Sequence, residues 1–192
     1  MRWTSQTRWL GIALLAALAL HAWSMGRADL PHMLWSCHVA TFVLAVGILL
    51  RAPTLVATGF LFHLAIGLPA WSVEVILTRG TFGGTAVIGR VVATSILVHG
   101  LPIVAGVLFL GFRKIAFTAV PLAWLIQAGM VPVSRWLTPA EFNVNLSHAV
   151  WPQLAGIFPR LWLFQMAASL VCLTSLVIVW TLWNSAVARD RV

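Results

Sequence analysis

The sequence predicts an all-α polytopic membrane protein, in which residues 1–192 form a single bundle of six transmembrane helices. Hydrophobic residues make up 61% of the chain and charged residues only 8%, whereas about a quarter of a soluble domain is charged. Apolar runs long enough to cross a bilayer, about 20 residues each, recur between short breaks rich in Arg, Gly and Pro. We expect no separate soluble domain.

The expected spans follow these apolar runs. They cover residues 9–25, 32–50, 54–77, 87–112, 115–133 and 161–183, and a long outer loop covers residues 134–160. The first run also resembles a signal peptide, because Arg2 and Arg8 precede a short apolar core, but its length favours retention as a membrane helix. Gly67 and Pro69 predict a kink in the third run. Pro102 in the fourth run leaves a carbonyl that the bundle must satisfy.

The basic residues indicate that both termini face the cytoplasm. With six spans and the N-terminus inside, seven basic residues lie on the inner side and five on the outer side, which is a weak inner excess. The net charge of +8 is spread singly between apolar runs, so we expect no nucleic-acid partner, which would need a basic face or stripe. Cys37 and Cys172 both lie in apolar runs, and we expect no disulfide framework.

Polar side chains of the expected spans fall mostly in the outer half of the membrane. Each of the six spans contributes at least one, and these include His21, His38, His63, His99, Gln127 and Gln165. Such groups are costly in an apolar segment unless they have a partner or a purpose. We interpret the set as a polar pocket roofed by the outer loop. The alternative is that each group only bonds a neighbouring helix.

Cys37 carries the most reactive side chain of this pocket. A thiol becomes a nucleophile when a nearby imidazole takes its proton. Adjacent residues of a helix point about 100° apart, which makes His38 a poor base for Cys37, and His99 from another helix is the better candidate. Cys172 has no such neighbour, and we assign it to packing. The sequence therefore predicts Cys37 and His99 as a nucleophile and its base.

Two short motifs resemble a known family. The run Ser36-Cys37-His38-Val39-Ala40 lies early in one membrane helix, and Val98-His99-Gly100 follows two helices later, before an Asn-rich outer loop. This arrangement is similar to the YwaF-type bacterial integral membrane proteins, which resemble the androgen-induced-gene hydrolases and a transmembrane cysteine acyltransferase of lipid metabolism. The resemblance covers residues 30–185. It implies a six-helix bundle that acts on acyl lipids, with its nucleophile at Cys37 and its essential histidine at His99.

Three functions remain open from the sequence, and transport is a weaker fourth because the chain has no visible internal repeat. The first is an intramembrane acyl hydrolase or acyltransferase. Its catalytic residues would be Cys37 and His99, and its substrate contacts His38, His63, Glu74, Asn143, Asn145 and His148. The second is a non-catalytic subunit packed into a larger membrane assembly. The third is a haem or pigment protein with histidine ligands, although no paired-ligand spacing recurs along two helices. We expect no metal and no cofactor, membrane lipids as partners, and a bacterial cytoplasmic membrane as the location.

Overall fold

The computed structural model describes residues 5–78, 88–111 and 113–189, and most of these are helical. The helices are α1 (Ser5–Met25), α2 (Ser36–Leu49), α3 (Pro53–Phe62), α4 (Leu68–Thr78), α5 (Ile88–Leu110), α6 (Ala119–Leu137) and α7 (Leu161–Arg189). A π-helical turn, His63–Gly67, joins α3 to α4, so the described residues form six helical rods. No strand occurs in these ranges. The all-helical class predicted from the sequence is confirmed.

Four of the described rods are long and apolar enough to cross a membrane. They cover Thr7–Met25, Pro53–Val73, Val91–Leu110 and Leu161–Ala188. Helix α2 is apolar but has only 14 residues, which extend about 21 Å. The outward surface is apolar as well, because Leu170, Val171 and Leu182 of α7 are 62%, 65% and 64% exposed. Such a surface is typical of an integral membrane protein, whose outer face meets lipid instead of water.

The connection between α1 and α2 differs from the prediction. The sequence predicted a helix from residue 32, but the structure has a 3₁₀ helix over Leu30–Leu34, and α2 begins only at Ser36. Pro31 lies at the start of the 3₁₀ helix, and Trp35 has extended backbone angles, φ −59° and ψ 144°. The chain turns here, and Cys37 therefore lies in the first turn of α2.

Pro69 explains the π-helical turn between α3 and α4. Proline has no N–H, and its ring meets the carbonyl one turn earlier, so the helix before it is distorted. The wider turn over His63–Gly67 takes up this distortion, with the N–H of Leu68 bonding the carbonyl of His63. The expected kink takes the form of a π turn, a feature that is frequent at functional sites.

Helix α7 determines where α6 starts. The sequence predicted a span from residue 115, whereas α6 begins at Ala119. Asn184 bonds the backbone of Ile115 twice, because its Oδ1 accepts the N–H at 2.8 Å and its Nδ2 donates to the carbonyl at 3.0 Å. Nε1 of Trp180 donates to the same carbonyl at 2.8 Å. These bonds hold the chain before α6 in a non-helical conformation.

Helices α2 and α3 approach each other closely. Leu44 and Phe60 are fully buried in this part of the core. A Cβ added at Gly47 would lie 2.6 Å from the backbone nitrogen of Val56, and one added at Gly59 would overlap the backbone of Leu44. Small residues at such contacts allow membrane helices to approach closely. The two helices that carry Cys37 and the π turn are therefore locked together.

The variant Gly59→Ala is expected to lower the free energy of unfolding by about 1–3 kcal/mol, because the new methyl group forces α2 and α3 apart. Reversible unfolding in mixed detergent micelles measures the loss. Gly129→Ala in α6 is the matched control, since a Cβ there meets nothing within 4 Å and alanine is the better helix former. Equal losses in the two variants would contradict the close contact.

Candidate functional site

The first turn of α2 is held by a side chain from the outer loop. The first N–H groups of a helix have no intrahelical partner, and Trp35 at the N-cap position makes no capping bond. The capping bond comes instead from Asn145, which is 109 residues away along the chain. Its Oδ1 accepts the backbone N–H of Ser36 at 3.0 Å and the hydroxyl of Ser36 at 2.7 Å. The outer loop therefore fixes the helix end that presents Cys37.

Both halves of the Asn145 amide are engaged within the protein. Nδ2 donates to the carbonyl of Leu34 at 2.7 Å and to Oγ of Ser134 at 2.9 Å. The side chain is buried, and its backbone φ of 53° lies in the left-handed region that asparagine tolerates better than most residues. Asn145, which the sequence predicted as a substrate contact, joins α2, α6 and the outer loop.

Two buried histidines near Cys37 adopt the same tautomer. Nδ1 of His38 donates to the carbonyl of His32 at 3.0 Å, and Nδ1 of His99 donates to the carbonyl of Ser95 at 2.7 Å. A carbonyl can only accept, so each Nδ1 carries the proton and each Nε2 carries a lone pair. Neither Nε2 has a hydrogen-bond partner among the described residues. Each Nε2 is therefore a buried lone pair that no hydrogen bond of the described residues satisfies.

The thiol of Cys37 meets these two imidazoles. Its Sγ and one ring nitrogen each of His38 and His99 all lie within 4.8 Å of one another, and the two rings have centroids 5.8 Å apart. The structure brings together the two residues that the sequence selected as nucleophile and base. It also adds His38 to the cluster. The sequence predicted that His38 points away from Cys37, but the direction of a Cα–Cβ bond alone does not determine where the ring nitrogens lie.

His63 and Trp71 hold the segment that carries His99. Nε2 of His63 donates to the carbonyl of His99 at 2.9 Å. The indole of Trp71 stacks on the imidazole of His99, with centroids 4.5 Å apart and planes at 15°, and its Nε1 donates to Oγ of Ser95 at 2.8 Å. The sequence predicted His63 as a substrate contact. In the structure, its imidazole joins the π turn to the backbone of α5 by a hydrogen bond.

Pro102 leaves the carbonyl of Val98 without its helical donor, because proline has no N–H. The hydroxyl of Thr41 lies 3.4 Å from this carbonyl and also donates to the carbonyl of Cys37 at 2.9 Å. The sequence predicted that Pro102 leaves a carbonyl without a donor. In the structure, Thr41 of α2 contacts this carbonyl. This contact ties α5 to the helix that carries the thiol.

His21 extends the cluster to α1; the sequence placed it in the predicted polar pocket but named it neither as a catalytic residue nor as a substrate contact. Its ring centroid lies 5.0 Å from that of His38, and its Nδ1 bonds Oγ1 of Thr94 at 2.9 Å. On the other side, the ring of His63 lies 5.9 Å from that of His99. Four imidazoles from four rods therefore form a row. The sequence marks His21 as a polar group of the outer half, but nothing in it pairs His21 with His38.

Cys37 also forms part of the wall of a cavity of about 420 Å³. The wall comes from α2, the end of the π turn region, α4, α6, α7 and the outer loop, and it is mostly apolar. Its polar and aromatic side chains are Ser36, Gln127, Asn145, Gln165, Ser169, Trp35, Trp71 and Trp151. Cys172 lines the cavity as well, whereas none of the described histidines does. Among the described residues, the cavity therefore offers an apolar ligand the thiols of Cys37 and Cys172 but no histidine that could ligate a haem.

Gln127 and Gln165 line this cavity; the sequence placed both in the predicted polar pocket but named neither as a catalytic residue or substrate contact. Oε1 of Gln127 contacts the hydroxyl of Ser36, and Nε2 of Gln165 donates to the carbonyl of Leu146 at 3.1 Å. Their signal in the sequence is a polar amide inside an apolar run. That signal predicts a polar outer half, but it cannot show that two such amides share one cavity.

The remaining predicted contacts lie elsewhere. Oδ1 of Asn143 accepts the N–H groups of His148 and Ala149, both at 2.9 Å, and Nε2 of His148 donates to the carbonyl of Thr138 at 3.1 Å. These bonds shape the outer loop, and neither Asn143 nor His148 lines the cavity. The side chain of Glu74 lies outside the described part of the chain.

No protein-family model matches the chain, and neither a curated protein nor a solved structure matches it. The resemblance to the YwaF-type membrane proteins therefore stays a prediction from two short motifs. The function has to be inferred from the geometry of the cluster and the cavity.

Proposed function

We propose that this protein is an integral membrane enzyme that transfers the acyl group of a lipid through a thioester on Cys37. One observation carries the proposal: Cys37 belongs both to the wall of an apolar cavity and to a cluster with two imidazoles. The cavity supplies a place for an acyl chain, and the cluster supplies a thiol with bases beside it. The cavity volume of about 420 Å³ falls within the range of about 300–1,000 Å³ that is usual for small-molecule sites.

The proposed reaction has two steps. In the first, Nε2 of His99 takes the thiol proton and the sulfur of Cys37 attacks the carbonyl carbon of a lipid ester. The carbon–sulfur bond forms, the carbon–oxygen bond of the ester breaks, and His99 returns the proton to the leaving alcohol. In the second, water or another alcohol gives its proton to His99 and attacks the thioester. A new carbon–oxygen bond forms and the carbon–sulfur bond breaks, which releases a fatty acid or a new ester, and the thiolate of Cys37 recovers the proton from His99.

His99 serves as the base in this scheme because it lies on the cavity side of the imidazole pair. Trp71 lines the cavity and stacks on the ring of His99. The ring of His38 instead neighbours His21 on α1, and α1 contributes no residue to the described cavity wall. Gln127 brings an amide to the wall that contains Cys37. We assign to this amide the hydrogen bond to the oxyanion that forms on the ester carbonyl.

The proposal includes six membrane crossings with both termini in the cytoplasm. The short helix α2 and helix α6 then cross together with the four long apolar rods, and the cavity lies in the outer half of the bilayer. The 3₁₀ helix before α2 and the outer loop lie at the outer interface, where Trp35 and Trp151 suit the boundary between lipid and water. A lipid of the outer leaflet would therefore bring its ester to the depth of Cys37.

Alkylation by a long-chain iodoacetamide tests the proposal within one molecule. Cys37 and Cys172 line the same cavity, so a hydrophobic probe that enters it reaches both thiols. Only Cys37 forms a described cluster with imidazoles, and a thiolate reacts where a thiol does not, so we expect its alkylation to be faster by about tenfold or more. Peptide mass spectrometry on protein in lipid nanodiscs measures both rates. Equal rates, or faster alkylation at Cys172, would contradict the activation of Cys37.

A further inference from the structure

The cluster of Cys37, His38 and His99 also has the composition of a metal site. We propose that these three side chains bind one copper(I) ion, although the sequence alone predicted no metal. One ligand atom from each residue lies within 4.8 Å of the other two. The proposal rests on this juxtaposition of a thiol and two imidazoles, together with the two buried Nε2 atoms that have no partner in the described chain.

The histidines are oriented as metal-binding histidines are. Such a histidine usually donates its other ring N–H to a carbonyl or carboxylate, which fixes the tautomer and turns the lone pair toward the metal. Nδ1 of His38 does so with the carbonyl of His32 at 3.0 Å, and Nδ1 of His99 with the carbonyl of Ser95 at 2.7 Å. A buried lone pair without a partner is unfavourable, and a metal ion would satisfy both at once.

Charge selects copper(I) among the thiophilic ions. The acidic side chains that the structure describes are those of Asp29 and Glu141, and neither belongs to the cluster. The thiolate of Cys37 therefore supplies one negative charge there, which a monovalent ion balances. A divalent zinc ion would leave a net positive charge in an apolar interior, where an unbalanced charge is costly. A site of two histidines and one cysteine is also a set that copper prefers in trigonal geometry.

The spacing of the ligand atoms leaves little adjustment to make. In trigonal geometry, metal–ligand bonds of about 2.0–2.3 Å place the ligand atoms about 3.5–4 Å apart, so the cluster closes by about 1.3 Å or less from its 4.8 Å limit. The inference goes beyond acyl transfer and does not rest on it. Copper and an ester compete for the same sulfur, so one molecule holds one or the other.

A copper competition assay tests the proposal with the full-length protein in detergent. Copper(I) and a chromophoric copper(I) chelator are mixed anaerobically with the protein, and the chelator's absorbance reports the copper that the protein withholds. We expect the wild type to withhold one equivalent and Cys37→Ala none, and His38→Gln and His99→Gln to bind at least tenfold more weakly. Cys172→Ala and His148→Gln are the matched controls, because neither side chain is in the cluster, and both should retain the equivalent.

Copper K-edge X-ray absorption on the loaded wild type gives a second readout that needs no variant. We expect one sulfur and two imidazole nitrogens around the ion. Withholding of no copper by the wild type, retention of copper by Cys37→Ala, or a spectrum without sulfur would overturn the proposal, as would displacement of the copper by equimolar zinc. No acyl ester is present in either experiment, so their outcome is independent of the outcome for acyl transfer.

Discussion

Replacing Asn145 by alanine is expected to lower the free energy of unfolding by about 3 kcal/mol. The change removes the acceptor of the Ser36 N–H and hydroxyl and the donor to Leu34 and Ser134, and a buried polar group left without a partner costs about 1–3 kcal/mol. Alanine at a φ of 53° adds about 1 kcal/mol of backbone strain. Reversible unfolding in mixed micelles measures the loss. Asn145 also caps the turn of α2 that carries Cys37. Its loss should therefore disturb the position of the thiol and slow the alkylation of Cys37.

Asn143→Ala is the matched control for this change. Asn143 lies in the same loop and also has a left-handed backbone, with φ 43°, but its side-chain bonds to Ala149 are exposed. Water can replace those bonds, so we expect a loss below about 1.5 kcal/mol, mostly from the backbone. If the two variants lose the same stability, the buried network around Asn145 does not hold the outer loop to α2.

The variant His99→Gln is expected to slow the acylation of Cys37 by about 10²–10⁴-fold, the usual contribution of a positioned general base. Glutamine keeps an N–H that can bond the carbonyl of Ser95, but it has no basic nitrogen to accept the thiol proton. The rate is measured by mass spectrometry of the acylated protein after mixing with a long-chain acyl ester. Thermal unfolding of the same sample shows whether the variant remains folded.

His38→Gln is the comparison that separates the two imidazoles. His38 belongs to the same cluster but neighbours His21 instead of the cavity-lining Trp71, so we expect a loss of about tenfold or less, below the range of a general base. His148→Gln, in the outer loop, should leave the rate unchanged. A larger loss in His38→Gln than in His99→Gln would assign the base to His38 and contradict the role given to His99.

The fold class could be predicted because it depends on composition and on the lengths of apolar runs, which the sequence states directly. The helix boundaries could not be predicted with the same accuracy. Asn145, 109 residues away along the chain, bonds the backbone of Ser36 where α2 begins, and Asn184 bonds the backbone of Ile115 just before α6 begins at Ala119. At both boundaries side chains from distant parts of the chain bond the backbone, and no local pattern of the sequence reports such contacts.

The cluster could be predicted in part for a similar reason. Depth along a predicted span follows from residue position, so the sequence could predict that Cys37 and His99 lie at similar depths of the bundle. It could not show which way each ring turns, so it neither brought a ring nitrogen of His38 close to Cys37 nor paired His21 with His38. The cavity could not be predicted, because it forms only where α4, α6 and α7 pack together with α2. The role proposed for the amide of Gln127 depends on its place in the wall of this cavity.

The measurement that tests the central claim most directly is to find where an acyl group is attached. The full-length protein in nanodiscs is mixed with a diacyl lipid that carries an isotope-labelled chain, quenched with acid, digested and analysed by mass spectrometry. We predict the mass of the acyl chain on the peptide that contains Cys37, and its removal by neutral hydroxylamine, which cleaves thioesters. An acyl group on another residue, or no acylated peptide during turnover, would contradict a thioester route through Cys37.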